Sequence, residues 1–474
     1  MRTILASLPT MPASRRLRSF VLLALAAPVV PLAAARSQAP IAFTHVMVID
    51  GVISTPRADQ TVIIRGNRIT TVAPSASTAI PAGTRVVNSR GKFLVPGFWD
   101  MHVHTDVPAG RDMLALFIAN GVTGVRDMGG DFATLKQWRE EITRGTLVGP
   151  RLIVSGPYLE GGDALIAHLV VRTPDEARVA VDSLMHLGVD FVKVHTQLKR
   201  DAYFAAAREA RARGIPFAGH IPGDVTAAEA SDSGQRSLDH LLRIPNPCTA
   251  AESEALKPKY PIQRVLGLCT SDDLAPLYER FVRNGTWIVP TFSAQLEIAL
   301  WPKHALPGDD FARYLPDTLR KFVAFIFPME PDIPPDADIT GRALFEKRLV
   351  VVGAMRRAGV GILAGTDYPL RNSPPGFGLH GELEYLVRAG LSPMEVLRAA
   401  TIEPARYFGM TDSLGTVAAG KVADLVLLDA NPLADIRNTR KIAAVVANGR
   451  LFDSAAREAL LRSALESGRR ITPP

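Results

Sequence analysis

The chain predicts an α/β fold: a (β/α)8 TIM-like barrel joined to a small composite β-sandwich domain built from its N- and C-terminal flanks. Three observations predict it. Short apolar runs alternate with helical stretches through the middle, both flanks alternate apolar and polar residues between turn signals, and that flank texture is interrupted only by the middle. At 474 residues the length allows about two to three domains, although barrels often run long as one.

Residues 1–35 read as a signal peptide. Arg15, Arg16 and Arg18 form a basic patch, Phe20 to Ala34 an apolar run, and Ala33-Ala34-Ala35 a small-residue cleavage site. The run is shorter than about 20 residues and holds Pro28 and Pro31, which argues against a stable membrane anchor. An exported, periplasmic or secreted protein is therefore expected. Removing Arg2, Arg15, Arg16 and Arg18 with no acid takes the net charge from +7 to +3, so charge gives no reason to expect a nucleic-acid partner.

The composite domain is placed at residues 41–94 and 410–455. Val46–Ile49 precedes Asp50-Gly51, Thr61–Ile64 precedes Gly66-Asn67, and the texture returns in Ala423–Leu428 and Ile442–Val446. The barrel is placed at 95–409. Its strands are expected at Phe93–Trp99, Val122–Asp127, Arg151–Ser155, Asp190–Val194, Pro216–His220, Ser237–Leu241, Trp287–Thr291 and Gly361–Gly365, with chemistry at their carboxyl ends. Thr173-Pro174-Asp-Glu176 and Ser392-Pro393-Met-Glu395 predict helix starts, and Gly188 the end of the first of these helices. An insertion at about 243–345, with Pro-rich segments holding Trp301 and Tyr314, is expected to act as a lid. Cys248 and Cys269 could close a disulfide in an oxidising compartment or remain separate buried thiols.

Six ligand-type residues carry the chemistry: His102, His104, Lys193, His220, His240 and Asp367, each read at the carboxyl end of a short buried strand. In Phe98-Trp-Asp-Met-His-Val-His104 the period of two aims His102 and His104 the same way, a geometry suited to zinc. Lys193 in Phe191-Val-Lys-Val194 is flanked by residues that look buried, so it must be paired or neutral. A neutral amine could take up carbon dioxide as a carbamate; a salt-bridged lysine is the alternative.

Val95-Pro-Gly-Phe-Trp-Asp-Met-His-Val-His104, Asp190-Phe-Val-Lys-Val194, Gly219-His220, Asp239-His240 and Gly365-Thr-Asp367 resemble the ligand motifs of the amidohydrolase superfamily. The likeness is to its exported imidazolonepropionase-like and Xaa-Pro dipeptidase-like members. Gly415-Thr-Val-Ala-Ala-Gly-Lys-Val-Ala-Asp-Leu-Val426 resembles the family's returning strands, and the resemblance covers about residues 41–455. It implies two divalent metal ions, zinc by expectation. His102, His104 and Asp367 would hold one, His220 and His240 the other, with Lys193 bridging as a carbamate formed from CO2. Two such cations about 3.5 to 4 Å apart activate a water, and Asp367 would take its proton and pass it to a leaving amine.

His195, two residues after Lys193, is read as a second catalytic residue polarising the substrate carbonyl or binding a carboxylate, against a packing role. Arg126, Tyr158, Tyr368 and His380 are read as substrate-binding residues; for Arg126 a structural pair with Asp127 or Asp100 is the alternative. His45, His168, His186 and His304 receive no role. One departure stands out: Gly161-Gly162-Asp163 replaces a Gly-Gly-His segment of many dipeptidase relatives, which weakens transfer of their specificity.

The leading expectation is an exported binuclear amidohydrolase cleaving a dipeptide or N-acyl amino acid, a small-molecule substrate, with homo-oligomerisation left open. A lactonase or phosphotriesterase, a deaminase, and a non-catalytic assembly protein are the alternatives, in that order.

Overall fold

The computed structural model describes residues 39–52, 55–164, 166–244, 269, 272–300, 313–326, 337–370 and 374–470. The expected signal peptide, residues 1–35, and Cys248, Trp301 and His304 lie outside these residues. Cys269 is disulfide-bonded.

An eight-stranded mixed sheet draws on both flanks: β1 (Ile41–Val48), β2 (Arg57–Arg65), β3 (Arg68–Pro74), β4 (Arg85–Asn88) and β5 (Phe93–Pro96) join three strands from the far end of the chain. β5 pairs antiparallel with the first of these, Leu425–Leu428, which returns after residues 97–424. Ile41, Phe43, Val62, Ile64, Leu425 and Val446 sit in a core cluster of this sheet. The chain leaves at Gly97, where a Cβ would lie 2.1 Å from Thr123 Oγ1, so glycine alone fits the crossing. The first expected barrel strand, Phe93–Trp99, is thus two strands in different sheets, and the corrected one is β6 (Phe98–Val103).

β6, β7 (Val122–Asp127) and β8 (Arg151–Val154) form a parallel three-stranded sheet. A second, seven-stranded parallel sheet contains β9 (Tyr158–Glu160), β10 (His168–Val170), β11 (Val192–Val194), β12 (Phe217–Gly219), β13 (Ser237–Asp239), β14 (Trp287–Val289) and β15 (Gly361–Ile362). The returning strands of the mixed sheet are β16 (Leu425–Leu428), β17 (Ile442–Ala447) and β18 (Arg450–Phe452). β9 and β10 are additions to the eight strands expected; β9 occupies the ladder beside β11. Hydrogen bonds link the two parallel sheets, from Asp190 N, just before β11, to Val154 O at 2.9 Å and from Asp367 N, beyond β15, to His102 O at 2.7 Å.

Alternation along these strands sorts the side chains into two layers. Val125, Leu152, Val154, Val192, Val194, Leu238 and Ile288 pack with the helices. Trp99, Met101, Ile153, Phe191, Ala218, Val289 and Leu363 form an inner cluster. Lys193, between Val192 and Val194, therefore shares the inner side with Phe191.

Both expected helix starts form, by different routes. Ser392 makes a reciprocal capping box with Glu395. Thr173 accepts from Glu176 N, but the Glu176 carboxylate turns back to Arg172 N. Gly188 ends that helix at φ 86°.

Candidate metal centre

His102, His220 and His240 bring ligand atoms within 4.8 Å of one another, and so do His102, His104 and Asp367. His102 Nε2 lies 3.3 Å from Asp367 Oδ1, and His104 Nε2 lies 3.7 Å from the same oxygen. Ring centroids of His102 and His240 are 4.4 Å apart, those of His220 and His240 4.7 Å. All six expected ligand residues are drawn to one region, although Lys193 sits mid-strand and Asp367 beyond the end of β15. The Asp367 segment is held beside β6 by backbone bonds from Met101 N to Ala364 O and His104 N to Tyr368 O.

Surrounding side chains orient the rings. Thr196 Oγ1 lies 2.8 Å from His220 Nδ1, Thr291 Oγ1 lies 2.7 Å from His240 Nδ1, and Gly129 O lies 3.3 Å from His104 Nδ1. With Nδ1 engaged, Nε2 of each ring is left for a ligand role, the usual arrangement of metal-binding histidines. Asp100, wholly buried, accepts from Thr366 N and Thr366 Oγ1, tying the β6 end to the Asp367 turn. His240, Thr291 and Asp367 adopt positive φ of 64°, 49° and 66°. Such non-glycine backbone costs about 1 to 3 kcal/mol each and concentrates at functional sites.

The residues fit a divalent cation on an observation of their own. Nζ of Lys193 is buried with no hydrogen-bond partner, and the ring nitrogens of His102 meet only the carboxylates of Asp239 and Asp367, without hydrogen-bond geometry. A buried polar atom left this way costs about 1 to 3 kcal/mol, which a metal or a covalent carbamate would offset. Burial lowers the Lys193 ammonium to about 8 against the attraction of Asp239 and Asp367, and burial raises Asp367 to about 7. Desolvation, reinforced by the Lys193 charge, holds His102, His220 and His240 well below the usual imidazole range, so all three offer lone pairs at neutral pH.

The centre opens into a cavity of about 610 Å³. His195 and Tyr158 line it, their rings 4.8 Å apart, and His195 lies 4.2 Å from the His220 ring. His195 Nδ1 donates to Glu160, a buried carboxylate that also accepts from Gln197 N at 2.8 Å. Burial lowers His195, so the ring is neutral with its proton on Nδ1. Its Nε2 then accepts hydrogen bonds, which runs against the expected polarisation of a carbonyl; a substrate N–H suits it instead.

Three expected substrate residues lie elsewhere. Arg126 is fully buried beneath the centre: Nε donates to Met101 O at 2.6 Å, Nη1 to Ser237 Oγ at 2.8 Å, and Nη2 to both oxygens of Asp239 at 3.2 Å. Its structural partner is thus Asp239, neither Asp127 nor Asp100. His380 is buried between Thr439 Oγ1 at 2.9 Å and Asn120 O at 3.2 Å, outside the cavity. The Tyr368 side chain packs edge-on against Phe117 in the core; its neighbour Pro369 lines the cavity instead. Residue order alone could not separate these from pocket residues, because one turn past a strand end the chain can face either layer.

Sequence reasoning assigned no role to several residues that shape the site. Asp239 Oδ2 lies 3.1 Å from His102 Nδ1. Helices after β14 wall the cavity through Gln295, Ile326, Phe345 and Arg348. His168, given no role, stacks on Tyr158 at 6.0 Å. Asp163, the departure noted above, is exposed on the cavity wall.

Imidazoles, a carboxylate and a buried lysine gathered on and just beyond parallel strands form a candidate metal-ligating centre. The chain is similar to proteins of the amidohydrolase superfamily. Residues 316–452 match the amidohydrolase family. The chain is 25% identical over 392 residues to an adenine deaminase of Chelativorans sp. (strain BNC1), covering 78% of this chain and 51% of that protein. It is 33% identical over 116 residues to ochratoxinase of Aspergillus niger, covering 23% of each. It thus spans about half the length of the adenine deaminase. Among solved structures, a candidate prolidase of Bifidobacterium longum superposes with a TM-score of 0.67 at 25% identity, covering 90% of this chain and 99% of that one. Bottromycin amidohydrolase superposes with a TM-score of 0.71 at 23% identity, covering 90% of each.

Proposed function

We propose that the protein is an exported binuclear metal-dependent hydrolase that cleaves a C–N bond, an amide in a dipeptide or N-acyl amino acid. The observation that carries this reading is Lys193: a buried, unpartnered amine among four imidazoles and Asp367. We read the two parallel sheets as one (β/α)8 barrel, and residues 41–94 with 410–455 as its companion β-sandwich domain. Hydrogen bonds between the two sheets, from Asp190 N to Val154 O and from Asp367 N to His102 O, support this reading. Export rests on the leader-like pattern of residues 1–35 alone.

His102, His104 and Asp367 would hold one cation, His220 and His240 a second, with carbamylated Lys193 shared between them; four imidazoles favour zinc. Bound divalent cations supply Lewis acidity and bring the pKa of a water toward neutrality. Asp367 would accept a proton from the attacking water and pass it to the leaving nitrogen. His195, oriented by Glu160, accepts from a substrate N–H, and Tyr158 closes the same wall.

The likeness to adenine deaminase supports a second reading, removal of ammonia from a purine, which also breaks a C–N bond. The metal-loaded protein should be screened for hydrolysis of dipeptides, N-acyl amino acids, adenine, lactones and phosphotriesters. Amide turnover above all other classes is expected. Adenine or ester turnover without amide turnover would overturn the amide assignment.

A further inference from the structure

The Arg348 guanidinium lines the same cavity as His195, His240 and Asp367, yet it belongs to the helix Ala337–Arg357, far from any strand end. Its Nη1 donates to Gln295 Oε1 at 2.5 Å. Nε is buried with no hydrogen-bond partner, and no carboxylate among the described residues pairs with the side chain. Burial lowers its pKa to about 10, so it stays cationic at neutral pH. The carboxylates on the cavity wall, Glu160, Asp163 and Asp367, make no ion pair with it, so a half-buried guanidinium facing this cavity is favoured by a ligand that supplies a counter-charge.

The guanidinium is also tied to the metal centre. Gln295 Nε2 donates to Pro290 O, and Gln295 N donates to Thr291 O at 3.1 Å. Thr291 Oγ1 in turn holds His240 Nδ1 at 2.7 Å. The next residues of that turn, Phe292 and Ser293, give their backbone N–H groups to the buried Glu382 carboxylate at 2.9 and 2.8 Å. A ligand histidine and Arg348 are therefore positioned by one short segment, and the Arg348 charge is felt at His240. Ile166, Leu242, Ile326, Leu344 and Phe345 give the same cavity an apolar portion of wall.

We infer that Arg348 is the specificity-determining anchor for a carboxylate on the leaving-amine side of the substrate, so that the substrates are amides of α-amino acids whose acyl groups lie on the apolar wall. Planar guanidinium donors match a carboxylate in bidentate fashion. This assignment rests on the amide-hydrolase reading, so its test carries a readout independent of turnover.

Metal-loaded wild type, Arg348→Met and Arg348→Lys are compared on N-acetyl-L-leucine and N-acetyl-L-leucinamide. Wild type should prefer the acid. Arg348→Met should lose on the order of 100-fold in kcat/KM for the acid and less than about threefold for the carboxamide, with Arg348→Lys between. An equal loss on both compounds, or an acid preference that survives Arg348→Met, overturns the anchor. If neither compound is turned over, the amide reading fails on its own, and calorimetric binding of N-acetyl-L-leucine decides the anchor: at least tenfold weaker binding to Arg348→Met supports it, and equal affinity overturns it. If Arg348→Met does not fold by circular dichroism, the wild-type acid-to-carboxamide ratio and its reduction in Arg348→Lys decide; no wild-type preference overturns it.

Discussion

Asp239 Oδ2 stands 3.1 Å from His102 Nδ1 and, through the same carboxylate, accepts from Arg126 Nη2 at 3.2 Å. One buried acid therefore sits between a ligand ring and a buried cation. A carboxylate behind a ligand imidazole fixes its orientation and raises its basicity, and such partners are worth about 10- to 100-fold in metal affinity. Asp239→Asn keeps the shape but removes the charge. It is expected to lower metal affinity by that factor and, by stranding the Arg126 charge, to cost about 3 to 5 kcal/mol of stability. Metal titration and urea denaturation check this; unchanged affinity and stability would contradict it.

Gly365 lies where the chain runs beside β6. A Cβ there would stand 2.7 Å from Val289 Cγ1 and 2.9 Å from His102 N. Gly365→Ala is expected to cost about 1 to 3 kcal/mol by overpacking and to displace His102. Reduced metal content together with a lower midpoint of unfolding is the expected outcome. A lower midpoint with full metal content would mean that Val289 gives way and His102 stays.

His380 sets a pH dependence outside the cavity. Burial, aided by the Arg440 charge, lowers it from 6.5 to about 3. As pH falls below 6.5 the unfolded chain takes up this proton while the native chain does not until about pH 3, so the contribution is full above 6.5 and lost across that window. His380→Gln should flatten that part of the stability-against-pH curve. An unchanged slope between pH 6.5 and 3 would contradict burial as a neutral ring.

The gathering of these six residues was legible in the sequence because strand alternation is a local property: His102 and His104 are two residues apart, and Lys193 follows Phe191 onto the inner side. The flanking sheet was legible for the same reason. Arg126 was misread because its fate depends on Asp239, more than a hundred residues away, and no local pattern pairs them. Tyr368 and His380 follow strand ends, yet one packs against Phe117 and the other bonds Thr439, choices set by packing between distant segments. Arg348 left no signal at all, since an arginine within a long helix is ordinarily a solvated charge; only the approach of Gln295 and the cavity distinguishes it.

The chemistry turns on Lys193. Metal analysis of purified wild type and Lys193→Ala, with amide hydrolysis measured on the same samples, tests it most directly. About two equivalents of divalent metal in wild type, falling to one or none together with activity in Lys193→Ala, is the predicted result. A Lys193→Ala protein with full metal content and full activity would contradict the binuclear centre.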